Sequence, residues 1–282
     1  MLLDFEKKGW CHFNNAKMDT AIELLIDEIL EFSHYIFKRS VPELKSLREK
    51  SSYLSEIVAE FSIKDRTKVS YVYDAIKNLP SFHSLYAHPT LLNTCRTILN
   101  SRKILTLKDS VGIRIDLPRE TQQLTNIHQE FHSFPYGLEG LVVWLPLTPV
   151  NEQNGTIKLF EGSNKELFEF SGDRLGINSL IGQNRFQEAQ KLGKLHIGDE
   201  GQSPKIITAE VGEILIISAT TLHASHPSEK QRFARLTCQF RVFNYSEEFF
   251  LWKSENYSFN EGLKQPIAGQ ELYNEFRDKR RL

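Results

Sequence analysis

A chain of 282 residues that is 40% apolar and 25% charged, with only 15 glycines and 10 prolines, can bury a full core, which excludes the disordered and fibrous classes. Its 35 basic and 36 acidic residues leave a formal net charge of −1, so no overall field draws it to nucleic acid or to an anionic membrane. Cys11, Cys95 and Cys238 are odd in number, far apart and without CxxC spacing, which argues against a disulfide framework or a thiolate metal site and leaves buried, unreactive thiols as the expectation.

The opening stretch carries Asp4, Glu6, Lys7 and Lys8 where a secretory leader needs an apolar run of about 7–15 residues. No run approaches the roughly 18–20 apolar residues that span a bilayer, so a cytoplasmic protein is expected. Met18, Ile22, Leu25, Ile26 and Ile29 recur at helical spacing. A second stripe, Leu44, Leu47, Leu54, Ile57, Val58 and Phe61, follows Pro42 near a helix start. Shorter helices are expected over 69–79, ended by Pro80, and over 90–99. Residues 1–102 therefore read as a largely helical scaffold.

From residue 103 the pattern changes to short Val-, Ile-, Thr- and Phe-rich runs separated by Gly, Pro, Asn and Asp. Strands are expected at 104–107, 112–117, 126–132, 140–146, 156–160, 206–209, 213–218 and 235–245. About eight strands without βαβ periodicity point to a mainly β protein with N-terminal helices, its core an antiparallel sandwich or jelly roll over 103–245. Residues 164–204 are polar and irregular, with one short helix expected at 185–192, and a stretch of that length inside a β core reads as a lid or substrate loop. Residues 246–282 form a C-terminal tail whose Lys279, Arg280 and Arg281 read as solvated, and the whole of 1–282 is expected to be one domain.

His128 and Glu130 are separated by one residue on an expected strand, which aims both side chains at one face. With His223, placed at the end of strand 213–218 and its short extension, they make two imidazoles and one carboxylate, a set that leaves open positions on an octahedral metal and suits Fe(II) oxygenases. Taken alone the His-x-Glu pair is weak, since nine histidines and 36 acidic residues make one such pair expected by chance.

The surroundings are more specific. His128-Gln129-Glu130-Phe131-His132-Ser133-Phe134-Pro135 resembles the HQDxHxFP stretch of phytanoyl-CoA dioxygenase and its relatives. Trp144-Leu145-Pro146-Leu147, Asn154-Gly155-Thr156 and Glu161-Gly162-Ser163-Asn164 then resemble that family's Trp strand, NG turn and PGSH turn in order. Val211-Gly212-Glu213-Ile214-Leu215-Ile216, Leu222-His223-Ala224-Ser225 and Arg235 with Arg241-Val242-Phe243 resemble its GD-led strand, HGS and Arg-led last strand. Two departures stand out: Glu130 replaces the usual Asp, and EGSN replaces PGSH.

The resemblance implies a double-stranded β-helix (a cupin-like jelly roll) that uses Fe(II), 2-oxoglutarate and O2. It implies iron ligation by His128, Glu130 and His223, and a grip on the distal carboxylate of 2-oxoglutarate by Arg235, with Arg232 as the competitor. A guanidinium suits that task because its planar fork is permanently charged. Trp144 is expected to pack beside the cosubstrate, with plain core packing as the alternative. No catalytic residue beyond the metal ligands is implied.

The expected activity is hydroxylation of an unactivated C–H bond of a small-molecule substrate, with release of succinate and CO2. The alternatives are a non-catalytic jelly-roll binding module and a metal-dependent cupin-like enzyme that does not use 2-oxoglutarate. His132 is as readily a neighbour of the metal site as a structural residue, and Arg114 and Lys108 are expected at solvated surface positions. Gln129 should alternate away from the metal face.

Overall fold

The computed structural model describes residues 2–14, 16–40, 42–121, 124–125, 127–132, 137–165 and 204–247. Nearly all of the expected lid, its helix at 185–192 and most of the C-terminal tail lie outside them. Two antiparallel sheets form the β core. The larger has the order β1 (Trp10–Asn14), β6 (Glu213–Ser218), β3 (Gly140–Pro146), β8 (Arg235–Asn244), β2 (Ile104–Asp116), and the smaller the order β5 (Lys205–Ile206), β4 (Thr156–Leu159), β7 (His223–His226). This is the expected jelly-roll architecture, and the strands with the strongest Val, Ile and Leu runs, β3 and β6, have the expected bounds.

Alternation along the strands builds two cores. Leu141, Val143 and Leu145 of β3, Ile214 and Ile216 of β6, and Leu236, Cys238, Phe240 and Val242 of β8 pack in one cluster with the helices. Val142 and Trp144, with Leu215 and Ile217, point the other way and meet Ile157, Leu159 and Ile207 from the small sheet's side. The large sheet is therefore buried on both faces: one holds the helices, and the other is the interior of the jelly roll.

The helices are α1 (Leu2–Lys8), α2 (Asp19–Phe37), α3 (Leu47–Lys64), α4 (Arg66–Ile76), α5 (Pro80–Tyr86) and α6 (Pro89–Ile98). The apolar stripe of α2, Ile22, Leu25, Ile26 and Ile29, is fully buried. Helix α3 begins later than Pro42 suggested, at a capping box in which Ser46 accepts from the Glu49 amide and the Glu49 carboxylate accepts from the Ser46 amide. Pro80 ends one helix and opens the next, as does Pro89 for α6, because a proline at the first helical position gives up no needed N–H.

Three expectations are corrected. Strand β1 lies inside the stretch expected to be helical and pairs with β6, Trp10 opposite Ile217 and Asn14 opposite Glu213. The segment expected as a strand at 126–132 is not one: His128 makes an isolated bridge to His223, and Glu130–His132 form a single 3-10 turn. His223 is not an extension of β6, since the chain turns at 219–222 and His223 opens β7 in the other sheet, opposite Leu159. Among the described residues no helix is long and apolar enough to cross a membrane. All three cysteines are buried and free, and burial pushes the Cys11 thiol up to about 11 and the Cys95 thiol up to about 12.

Candidate metal and cosubstrate site

The cluster is built by docking residues 127–132 onto 219–226. His128 and His223 exchange both backbone hydrogen bonds, each 3.0 Å. The Ser225 amide donates to Thr125 O, so the ladder does not continue in register from His128 and His223. Beyond it, the Phe131 amide donates to Ala219 O, and Gln129 Nε2 donates to Thr220 O at 2.5 Å. Gln129 does point away from the cluster, as alternation suggested, but it is fully buried and ties this segment to the turn before β7.

This docking brings the ligand atoms of His128, Glu130 and His223 within 4.8 Å of one another. Glu130 Oε2 lies 3.6 Å from His128 Nε2 and 3.5 Å from His223 Nε2, and the two imidazole centroids are 4.2 Å apart. His223 Nδ1 is 2.9 Å from Thr221 O; a carbonyl can only accept, so Nδ1 carries the proton and Nε2 keeps its lone pair toward Glu130. Burial lowers the His223 pKa, and the neighbouring His128 adds to the effect. Burial alone would raise the Glu130 pKa, but the charge of Arg241, with the two neighbouring imidazoles, outweighs it and holds the carboxyl well below its ordinary range. Neutral imidazole beside carboxylate is the protonation state that divalent metal binding requires.

A second polar cluster lies on the interior face of β8, where residues two apart share a side: Arg235, Thr237, Gln239 and Arg241. The β2–β8 ladder sets Asp116 opposite Arg235 and Arg114 opposite Thr237. Asp116 Oδ2 accepts from Arg235 Nη2 at 2.7 Å and from Nε at 3.2 Å, and the same carboxylate accepts from Arg114 Nε at 2.7 Å. Arg235 is 3% exposed, and among the described residues its Nη1 has no hydrogen-bond partner; neither has the buried Thr237 Oγ1. Arg232, the competitor for the same role, is exposed. Trp144 is buried in the jelly-roll interior with Gln239 opposite it across β3 and β8.

Arg114 is not solvated as expected: it is held by Asp116 and by Thr125 Oγ1 at 2.7 Å. The side chains of Lys108 and His132 lie outside the described residues. Asp116, Thr237 and the contact of Arg241 with Glu130 were missed from sequence. Counting in twos from Arg235 would have found Thr237 and Arg241, whereas Asp116 depends on a cross-strand register that a single sequence does not display.

An antiparallel jelly roll carrying two histidines and one carboxylate within ligand distance of one another is an arrangement that suits non-haem iron(II) chemistry. The chain belongs to the phytanoyl-CoA dioxygenase (PhyH) family, whose sequence profile matches residues 5–234. Among curated proteins there is no significant sequence match. Among solved structures it is similar to the epimerase SnoN in complex with Fe3+, alpha ketoglutarate and nogalamycin RO, at 12% identity and a TM-score of 0.55 over 87% of this chain and 82% of that one. It is likewise similar to the alpha ketoglutarate dependent carbocyclase SnoK from nogalamycin biosynthesis, at 14% identity and TM-score 0.51 over 86% and 82% of the two chains. A third similar structure is AviO1 from Streptomyces viridochromogenes Tue57, at 10% identity and TM-score 0.52 over 87% and 94%. At these identities the likeness is one of fold.

Proposed function

We propose that the protein is an Fe(II)- and 2-oxoglutarate-dependent dioxygenase that hydroxylates an unactivated C–H bond of a small-molecule substrate, releasing succinate and CO2. One observation carries the reading: within one jelly roll, a His-Glu-His cluster accompanies a buried arginine whose Nη1 has no partner among the described residues. The residues fit both groups. Two imidazole nitrogens and one carboxylate oxygen are a donor set for iron, and the unpartnered Arg235 Nη1 and Thr237 Oγ1 are buried donors suited to a carboxylate. That SnoN holds Fe3+ and alpha ketoglutarate in a similar fold adds support.

In this reading His128, Glu130 and His223 hold the iron, and Arg235 with Thr237 holds the distal carboxylate of the cosubstrate. When bound, iron and cosubstrate supply the oxidising power, drawn from dioxygen and from decarboxylation of the oxo acid. The rest falls to the chain. Asp116 occupies two of the guanidinium's nitrogens and turns the third outward, so the fork is oriented before a ligand arrives. Thr221 O holds the proton of His223 on Nδ1 and fixes the ring. Trp144 and the apolar interior of the small sheet exclude water around the reacting centre.

The test is turnover without a known substrate. Purified protein supplied with Fe(II), 2-oxoglutarate and air is followed by NMR for succinate, beside His223→Ala. Slow succinate formation that the variant abolishes is expected. Oxidation independent of 2-oxoglutarate would favour a cupin-like enzyme of another kind, and metal binding with no turnover at all a binding module.

A further inference from the structure

Glu130 presents its two oxygens to different partners. Oε2 faces the two imidazoles, while Oε1 takes Arg241 Nη2 at 2.8 Å and Arg241 Nε at 3.0 Å. The guanidinium is itself fixed: Nη2 also donates to Gln239 Oε1 at 3.0 Å, and Nη1 donates to Ser110 O at 3.3 Å. Both side chains are largely buried, 14% exposed for Arg241 and 5% for Glu130. A glutamate carries one more rotatable bond than an aspartate, so its carboxylate can swing and can offer either oxygen, or both, to a cation.

We propose that Arg241 is a positioning residue for the metal-binding carboxylate, engaging Oε1 so that Glu130 offers a single oxygen, Oε2, to the ion. The proposal rests on the metal-site reading above. Its physical content is twofold. A two-donor grip on one oxygen stops the longer side chain from rotating, and an Oε1 already satisfied cannot also close on the metal and fill a position that the cosubstrate needs. Arg235, six residues earlier on the same face and roughly 20 Å away along the strand, is engaged by Asp116 instead, so the two arginines have separate tasks.

A merely structural role would be to neutralise a buried carboxylate, and Arg241→Lys separates the two because it keeps the charge and loses the two-donor geometry. The experiment is anaerobic titration with Co(II) alone, read by its visible d–d bands, for wild type, Arg241→Lys, Arg241→Ala, Glu130→Asp and the Glu130→Asp/Arg241→Lys pair, with urea unfolding of each as the fold control. We expect Co(II) affinity to fall in Arg241→Lys while stability is kept, and to fall about 10–100-fold in Arg241→Ala. The band intensity should also change, as Oε1 becomes free to coordinate. In the Glu130→Asp background, where the shorter carboxylate withdraws from the guanidinium, Arg241→Lys should cost little more. Wild-type Co(II) affinity and spectrum in both Arg241 variants, or a loss fully additive with Glu130→Asp, would overturn the proposal. A wild-type Co(II) site indifferent to His223→Ala would instead remove the metal reading on which it stands.

Discussion

Arg235 and Asp116 are paired twice, once as opposite residues of the β2–β8 ladder and again through their side chains at 2.7 Å. Both are buried, and the carboxylate is the counter-charge that lets a guanidinium sit inside the jelly roll. Burial lowers the Arg235 pKa and Asp116 opposes that shift, while Arg235 Nη1 has no hydrogen-bond partner among the described residues.

Asp116→Ala should leave two guanidiniums, Arg235 and Arg114, facing each other without their shared anion. Removing one partner of a buried pair costs about 3–5 kcal/mol. Urea denaturation should place the variant in that range, with 2-oxoglutarate binding weakened in whatever fraction stays folded. A variant as stable as wild type would mean that solvent already reaches the pair.

Gly9 adopts φ +81°, and a Cβ there would run into Thr221 Oγ1 and come within 2.8 Å of Asn164 Cβ. Its carbonyl accepts from the Ser218 amide and from Thr221 Oγ1, and Thr221 O in turn holds His223 Nδ1. Gly9→Ala should therefore destabilise the protein by roughly 1–2 kcal/mol or more from the left-handed backbone alone. It should also weaken metal binding through the displaced Thr221. Thermal unfolding and Co(II) titration read the two effects separately, and a variant that loses neither contradicts the route from Gly9 to His223.

Ser46→Ala removes one arm of the capping box at the start of α3, far in sequence from the His-Glu-His cluster. A loss of about 1 kcal/mol in chemical denaturation is expected. Metal affinity should be unchanged, which makes this variant the control for the two above.

What was legible in the sequence follows from how each feature is held. Strands β3 and β6 are read directly because Leu141, Val142 and Val143, like Leu215, Ile216 and Ile217, are buried on both faces and give unbroken apolar runs. Strand β7, His-Ala-Ser-His, gives no such signal, because its place is set by pairing with β4 and by the bridge to His128. Strand β1 is five residues long between a short helix and a 3-10 turn, and only its partner β6 makes it a strand. His128, Glu130 and His223 are visible as a motif, but His128 and Glu130 do not share a strand: a bridge and a 3-10 turn bring them together. Asp116 and the Glu130–Arg241 pair were invisible because each joins residues more than 100 positions apart.

The proposed function requires one interior to hold both a metal and a 2-oxo acid. Its most direct test is anaerobic addition of Fe(II) and then 2-oxoglutarate, watching for the weak visible charge-transfer band of the chelated complex in wild type, His223→Ala and Arg235→Ala. We expect a band in wild type, none in His223→Ala, and one in Arg235→Ala that needs far more 2-oxoglutarate to appear. A folded, iron-loaded wild type that gives no band at saturating 2-oxoglutarate would contradict it.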